Sequence, residues 1–213
     1  MIVTIDGPAG SGKSTVAKLL AERLSVRFLD TGAMYRAVAC AVLNSDASES
    51  DDDAVARIAE AVNLQFQGEL LLLNGADVSE QIRSPQVTAI SSIVAANPTV
   101  RQRLVELQRQ VGQQGSLVTE GRDQGSVVFP LAEHKFFLTA SVDARARRRH
   151  RELVATGSSL TLATVKTQLT QRDQRDETRA HAPMKPAHDA VTIDTSAMSI
   201  VHVVEMLAER IAS

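Results

Sequence analysis

The sequence predicts an α/β fold, a parallel sheet with helices on both faces. Three observations predict it. Short β-branched runs alternate with stretches of helical periodicity along most of the 213 residues. A glycine-rich turn, Gly7-Pro8-Ala9-Gly10-Ser11-Gly12-Lys13-Ser14, joins the first run to the first helical stretch. Polar residues gather where the runs end, and in open parallel sheets ligands lie beyond those carboxyl ends.

The elements follow in order. Residues 2–5 read as a buried strand, and 15–24 as a helix with Val16, Leu19, Leu20 and Leu24 at helical spacing. Residues 27–30 predict a second strand, punctuated by Thr31-Gly32 before a helix over 33–43. A polar, acidic loop over 44–53 leads to a helix over 54–62, which Ser50 or Asp51 would cap. Residues 64–66 and 70–73 flank Gln67-Gly68-Glu69 and predict a hairpin. Asn74-Gly75 is a turn, and 78–93 a helix broken around Pro85. Pro98 opens a helix that runs to about Val111 and ends over 112–115. Residues 117–120, 134–139 and 190–194 are further strands. Helices are predicted over 143–156, 161–178 and 200–211. The chain therefore reads as one domain, with a core over about 1–60, 96–140 and 188–213. A small insertion over about 61–95 breaks the strand–helix rhythm, and a lid is expected over about 145–180.

Composition narrows the function classes. Apolar residues make up 44% and charged residues 23%, ordinary for a globular domain. The net charge of −2 and the single tyrosine argue against a general grip on nucleic acid. No apolar run approaches the length of a membrane span. The single cysteine, Cys40, sits at helical spacing among Ala37, Ala41 and Val42, so a place in the core is expected. A reducing compartment fits, and a cytoplasmic monomer is expected. The first strand runs directly into the glycine-rich turn, which argues against a leader peptide. The five histidines show no metal-ligand spacing.

Residues 7–14 fit G-x-x-x-x-G-K-[ST], a phosphate-binding loop in the strand–helix setting that the motif requires. Glycines allow a tight turn and close approach of the backbone to phosphates. The cradle would be lined by Gly7, Pro8, Ala9, Gly10, Ser11, Gly12, Lys13, Ser14 and Thr15, all but the proline offering a backbone N–H, with a helix N-terminus behind them. Lys13 adds a point charge for the terminal phosphates, and Ser14 offers a hydroxyl to Mg²⁺ carried with ATP oxygens and waters.

Arginines crowd the second half of the chain. Moving a phosphoryl group between two anions needs cations, and the planar guanidinium pairs with phosphate bidentately. Arg172, Arg175 and Arg179 fall at i, i+3 and i+7, with Asp176 spaced to hold Arg172 and Arg179. The spacing serves a phosphate-binding face and a surface ion-pair network equally well. Arg145, Arg148 and Arg149 share another face, with Arg147 and Arg151 turned away, and a basic surface helix explains them as readily. Arg122 follows a strand end and is expected at the substrate. Arg36 would face the same crevice, and Arg101 is ambiguous.

No N-K-x-D element marks a guanine-reading switch, and no strand ends in the Asp-Glu pair of a P-loop motor. A kinase of a small phosphorylated metabolite fits better. A nucleotide-binding regulator without turnover, or a kinase of UMP, AMP or shikimate, remains open on these residues.

Several stretches occur in order: Ile5-Asp6-Gly7-Pro8, Leu29-Asp30-Thr31-Gly32-Ala33-Met34-Tyr35-Arg36, Asp77-Val78-Ser79 with Ile82-Arg83, Glu120-Gly121-Arg122-Asp123-Gln124-Gly125 with Val127-Val128-Phe129-Pro130, and Gln171-Arg172-Asp173 with Arg175, Asp176 and Arg179. Together they resemble the bacterial cytidylate kinase family, over residues 2 to about 211. The resemblance implies phosphorylation of CMP and dCMP by ATP with Mg²⁺. It implies that Thr31, Tyr35, Arg36, Arg122, Arg172 and Asp176 line the monophosphate and sugar site. Ser92, Arg101 and Asp123 would read cytosine. Arg148, Arg175 and Arg179 would act with Lys13 at the transferring phosphates. A carboxylate suits the exocyclic amine of cytosine and would repel the carbonyl of uracil.

Overall fold

A computed structural model describes residues 1–68 and 70–212. Glu69, in the predicted hairpin turn, and Ser213 lie outside the described residues. In chain order the elements are β1 (Ile2–Asp6), α1 (Lys13–Leu24), β2 (Arg27–Asp30), α2 (Thr31–Leu43), α3 (Asp52–Ala61), β3 (Leu64–Gln67), β4 (Leu70–Leu73) and β5 (Ala76–Asp77). A 3-10 turn at Gln81–Arg83 precedes α4 (Pro85–Val94) and α5 (Pro98–Gly112). Then come β6 (Leu117–Gly121), a π-type turn at Gln124–Val128, β7 (His134–Thr139), α6 (Val142–Ala155), α7 (Leu162–Thr178), β8 (Val191–Asp194) and α8 (Ile200–Ala212).

Contacts divide the chain into two compact units. The first comprises Met1–Leu29 and Gln114–Ser213, the second Asp30–Gln113. The predicted insertion over 61–95 lies inside the second.

The first unit holds a five-stranded sheet in the order β2-β6-β1-β7-β8. β1 pairs in parallel with β6 and β7, and β7 with β8. Helices surround the sheet, as the alternation predicts. β1 lies at the centre, so Val3 and Ile5 are fully buried and the strand reads as a continuous apolar run. Against it pack Val16 and Leu20 of α1 and Val203 and Leu207 of α8. Burial of a side chain such as Leu20 stabilises the fold by about 2 kcal/mol. The order places the ends of β6, β1 and β7 side by side, beside the glycine-rich turn.

The second unit holds a three-stranded antiparallel sheet, β3-β4-β5, and helices α2 to α5. The hairpin is the predicted one, and β5 extends it beyond the Asn74-Gly75 turn. Cys40 is buried in α2, as its spacing predicts.

Caps set several boundaries, some as expected and some not. Thr31 and Gly32 do not interrupt the chain; they form the first turn of α2. Asp30 ends β2 and caps that helix at once, its Oδ1 accepting from the Ala33 amide at 2.8 Å. Asp51, not Ser50, caps α3 through Ala54 N at 3.0 Å. The helical stretch expected over 78–93 is broken around Pro85, as the sequence predicts, into the 3-10 turn at Gln81–Arg83 and α4, which Ser84 caps through Val87 N at 3.3 Å with Pro85 in its first turn. Arg179 lies at the C-cap of α7 with extended backbone, off the helical face assigned to it.

Candidate active site

The glycine-rich turn leaves β1 through Gly7 (φ 145°), a conformation that L side chains rarely adopt. A Cβ on Gly7 would run into the Leu138 carbonyl oxygen of β7. Gly10 (φ 75°) and Gly12 (φ 90°) bend the turn further. Gly12 is the N-cap of α1 and provides no side-chain hydrogen bond. The opening amides of α1 are thus left for an anion, with the helix dipole behind them. Ser14 and Thr15 stand exposed on this first turn.

Lys13 curls back over the turn. Its Nζ donates to the Pro8 carbonyl at 3.3 Å and lies 3.7 Å from Glu120 Oε2 at the end of β6. Burial pushes the Lys13 pKa down to about 8, helped by the Arg122 and Arg172 charges and opposed by Glu120 and Asp176. An ammonium in that state gains strongly from an arriving polyphosphate.

Two arginines of α6 hold the turn from behind. Arg145 is buried and donates to the Ala140 carbonyl at 2.9 Å, to the Ala9 carbonyl at 3.1 Å, and to Asp173 of α7. Arg148 donates to the Ser11 carbonyl at 3.4 Å and to the carbonyl and hydroxyl of Thr195. Thr195 Oγ1 itself donates to the Ser11 carbonyl at 3.0 Å. With Lys13 on Pro8 O, these bonds take the Pro8, Ala9 and Ser11 carbonyls; the Ser11 amide turns to Pro8 O at 3.4 Å, and the amides that open α1 are left for phosphate. Arg149 does not join them; it pairs with Glu152 on the surface at 3.0 Å.

The segment after β6 carries Arg122 and Asp123. Arg122 Nε donates to Asp176 Oδ2 at 2.8 Å, and Arg179 lies 3.6 Å from Asp123 Oδ1. Burial works against the Arg122 charge, but Asp176 and Glu120 outweigh it and its pKa is raised. Burial likewise opposes ionisation of Asp176, yet Arg122 and Arg172, with a lesser part from Arg179, lower its pKa. Asp176 therefore answers to Arg172 and Arg179 as the spacing predicts, and also to Arg122, which the spacing could not show. Arg175 is exposed and bonds to Gln171 O of its own helix at 3.4 Å.

In the second unit, Arg36 donates to Asp30 Oδ2 at 3.2 Å. Its Nε is buried with no hydrogen-bond partner among the described residues. Arg101, buried on α5, donates to Tyr35 Oη at 3.3 Å. Thr31 is buried in the first turn of α2, and Ser92 is half-buried on α4.

Sequence reasoning assigned no specific role to four contributors. Glu120 faces Lys13, Thr195 holds the turn, Arg145 braces it, and Asp6 anchors the segment after Asp123 through two backbone amides. Three of them, Asp6, Glu120 and Thr195, lie at the carboxyl ends of β1, β6 and β8. The rule for parallel sheets picks them out, but it says nothing of their partners.

Fold and loop together define a P-loop kinase. Solved structures with the same fold include shikimate kinase from Bacteroides thetaiotaomicron, 14% identical with a TM-score of 0.51, covering 100% of this chain and 99% of that one. An uncharacterized protein from Eubacterium ventriosum is 15% identical with a TM-score of 0.56, covering 100% and 99%. At that identity the likeness concerns the fold alone.

Sequence comparison narrows the class. The family model for cytidylate kinase matches residues 3–213. The cytidylate kinase of Carboxydothermus hydrogenoformans is 46% identical over 213 residues, covering 98% of this chain and 96% of the relative. That of Pelotomaculum thermopropionicum is 47% identical, covering 99% and 96%. This chain belongs to the cytidylate kinase family.

Proposed function

We propose that this chain transfers the γ-phosphate of ATP to CMP or dCMP, giving ADP and the nucleoside diphosphate. The observation that carries the reading is the full-length family match, over residues 3–213. The site chemistry agrees with it. The open amides of the glycine-rich turn and the desolvated Lys13 suit a triphosphate. An oxygen of the CMP phosphate attacks the γ-phosphorus in line as the bond to the β-phosphate oxygen breaks and ADP departs. The nucleophile is already an anion, so no protein base is required. Catalysis rests on positioning and on charge from Lys13, Arg148, Arg175 and Arg179.

Mg²⁺ would enter with ATP and offset the charge of the β- and γ-oxygens. The exposed Ser14 hydroxyl at the start of α1 suits it. The described residues offer no cluster of three or more His, Cys, Asp or Glu that would cage a metal. A hydroxyl, phosphate oxygens and waters would make up the donor set.

For the acceptor, Arg122 and Arg172 would meet the phosphate, Asp176 the sugar and Asp123 the cytosine amine. In the second unit Thr31, Tyr35 and Arg36 would serve the monophosphate and sugar, and Ser92 and Arg101 the base. The buried, unmatched Nε of Arg36 supports a role for it toward an anion. Residues 61–95 are proposed as the monophosphate-binding insertion and 145–180 as the lid that keeps water from ATP. No described helix is long and apolar enough to cross a membrane. We place the enzyme in the cytoplasm, as a monomer without a nucleic-acid partner; the buried free thiol of Cys40 and the net charge support this.

The test is ADP release by the purified protein across CMP, dCMP, UMP, AMP, GMP and shikimate. Turnover with CMP and dCMP, at least about a hundredfold above the others in kcat/KM, is expected from a site that hydrogen-bonds the base. No ATP consumption with CMP would overturn the reading.

A further inference from the structure

Asp6 closes β1 and is almost wholly buried, at 3% exposure. Its two carboxylate oxygens each accept a backbone amide: Gln124 N to Oδ1 and Gly125 N to Oδ2, both at 2.8 Å. Those amides open the π-type turn that follows Asp123. Gly125 lies so close to β1 that a Cβ on it would meet Thr4 Oγ1 at 2.8 Å. The Gly125 backbone therefore rests directly on the Thr4 and Lys135 side chains, with Asp6 as the fastening. A second tie comes from β6, where Thr119 Oγ1 donates to Gln124 Oε1 at 2.9 Å.

The turn carries a specific load. Arg122 and Asp123 immediately precede it, and both also meet the end of α7, Arg122 through Asp176 and Asp123 near Arg179. Anchored from one side only, the pair would be free to tilt with α7. The carboxylate of Asp6 supplies the other anchor. Among side chains only an ionised carboxyl has two acceptor oxygens and no donor, which two parallel amides require. Asparagine would set its own N–H groups against one of them.

We propose that Asp6 is a positioning residue for the pyrimidine monophosphate, holding Arg122 and Asp123 in place through the Gln124 and Gly125 amides. This rests on the function proposed above and assigns Asp6 no contact with substrate.

The clamp depends on charge. Burial raises the Asp6 pKa to about 7, against the lowering effect of the two amide bonds, with Asp123 and Glu120 adding to the rise. Those two carboxylates are the charges that face it. Lys13 on α1 is engaged by Glu120, and Lys135 on β7 turns to Pro130 O and Asp189. Arg122 is engaged by Asp176. A protonated Asp6 points a hydroxyl hydrogen at an amide and loses one of its bonds. Weak CMP binding below neutrality is the consequence, beyond that due to the phosphate's own ionisation near about pH 6. By reciprocity, bound CMP lowers the Asp6 pKa.

Steady-state kinetics of Asp6→Asn against the wild type test this. At about pH 8 the variant should show a KM for CMP about tenfold higher, the equivalent of one charge-assisted hydrogen bond. Its KM for ATP should change less than about twofold, and its preference for CMP over UMP should narrow. The wild-type loss of CMP affinity between about pH 8 and about pH 6 should flatten in the variant to what CMP ionisation alone produces. A parallel rise in both KM values would overturn the proposal and make Asp6 a brace for the phosphate loop. Carboxyl-carbon NMR of the wild type needs no variant to fold: CMP should shift the Asp6 titration to lower pH, and an unmoved titration would overturn the proposal. A wild type that releases no ADP with CMP would count against the function itself, not against Asp6 alone.

Discussion

The glycine-rich turn and the α6–α7 pair both handle phosphate chemistry in this reading, but they are built in opposite ways. The turn works through backbone. Gly7, Gly10 and Gly12 adopt conformations that few other residues tolerate, so residue type and geometry are tied together. The α6–α7 pair works through side chains whose partners lie elsewhere in the chain. The buried stripe of α7 begins apolar, with Val165 and Leu169, and ends with Asp173 and Asp176. Those carboxylates receive Arg145 from α6 and Arg122 from beyond β6. Helical spacing thus tells which residues share a face but not what meets it.

The largest effect is expected where the turn carries its one charge. Lys13→Ala should lower kcat by about a thousandfold or more, while CMP affinity measured by calorimetry largely survives. An equal loss of CMP affinity would show that Lys13 belongs to the acceptor side as well. Next, Gly7→Ala should cost about 3 kcal/mol or more, because it combines a disallowed backbone conformation with a clash against the Leu138 carbonyl. A denaturant titration at unchanged m-value would read it, and a shift below about 1 kcal/mol would mean that the turn yields more easily than its geometry indicates.

Arg145 and Arg149 set the same contrast within α6. Arg145→Ala strands the buried Asp173 and frees the Ala9 carbonyl, and should cost about 3 kcal/mol, or about 9 °C in Tm for a chain of this size. Arg149→Ala removes only a surface pair and should stay within about 0.5 kcal/mol. Equal effects would erase the distinction between a brace and a solvated charge.

The smallest effect is a proton. The folded, ligand-free Lys13 has a pKa of about 8, below its usual 10.5. Between those values the unfolded chain binds more protons, so this group makes folding more favourable as pH rises through the window. ATP favours the charged form. Its binding near pH 8 should take up a fraction of a proton, and its affinity should fall at higher pH. Calorimetry in buffers of different ionisation enthalpy would detect the uptake, and its persistence in Lys13→Ala would assign it to another group.

Much of this architecture is legible in the residues alone. The phosphate loop is local, and its spacing carries its mechanism. Caps such as Asp51 are legible because their partners lie three residues away. The start of α2 at Thr31 is not, although Asp30 and Ala33 are equally close, because threonine and glycine are weak helix formers and read as punctuation. Arg145 and Arg149 look alike in the sequence because charge and spacing do not encode burial. Asp6 gives no sign of its role there, because its partners, the amides of Gln124 and Gly125, stand well over a hundred positions away and leave no side-chain signal.

The alternation of strands and helices, the loop at the end of β1 and membership of the family are all properties of the linear chain. They rest on short-range periodicity, backbone conformation and motifs read along it. Which arginine braces, which one is solvated and which carboxylate each one meets are settled by the folded molecule alone. Those choices depend on desolvation, which exists only once distant segments have come together.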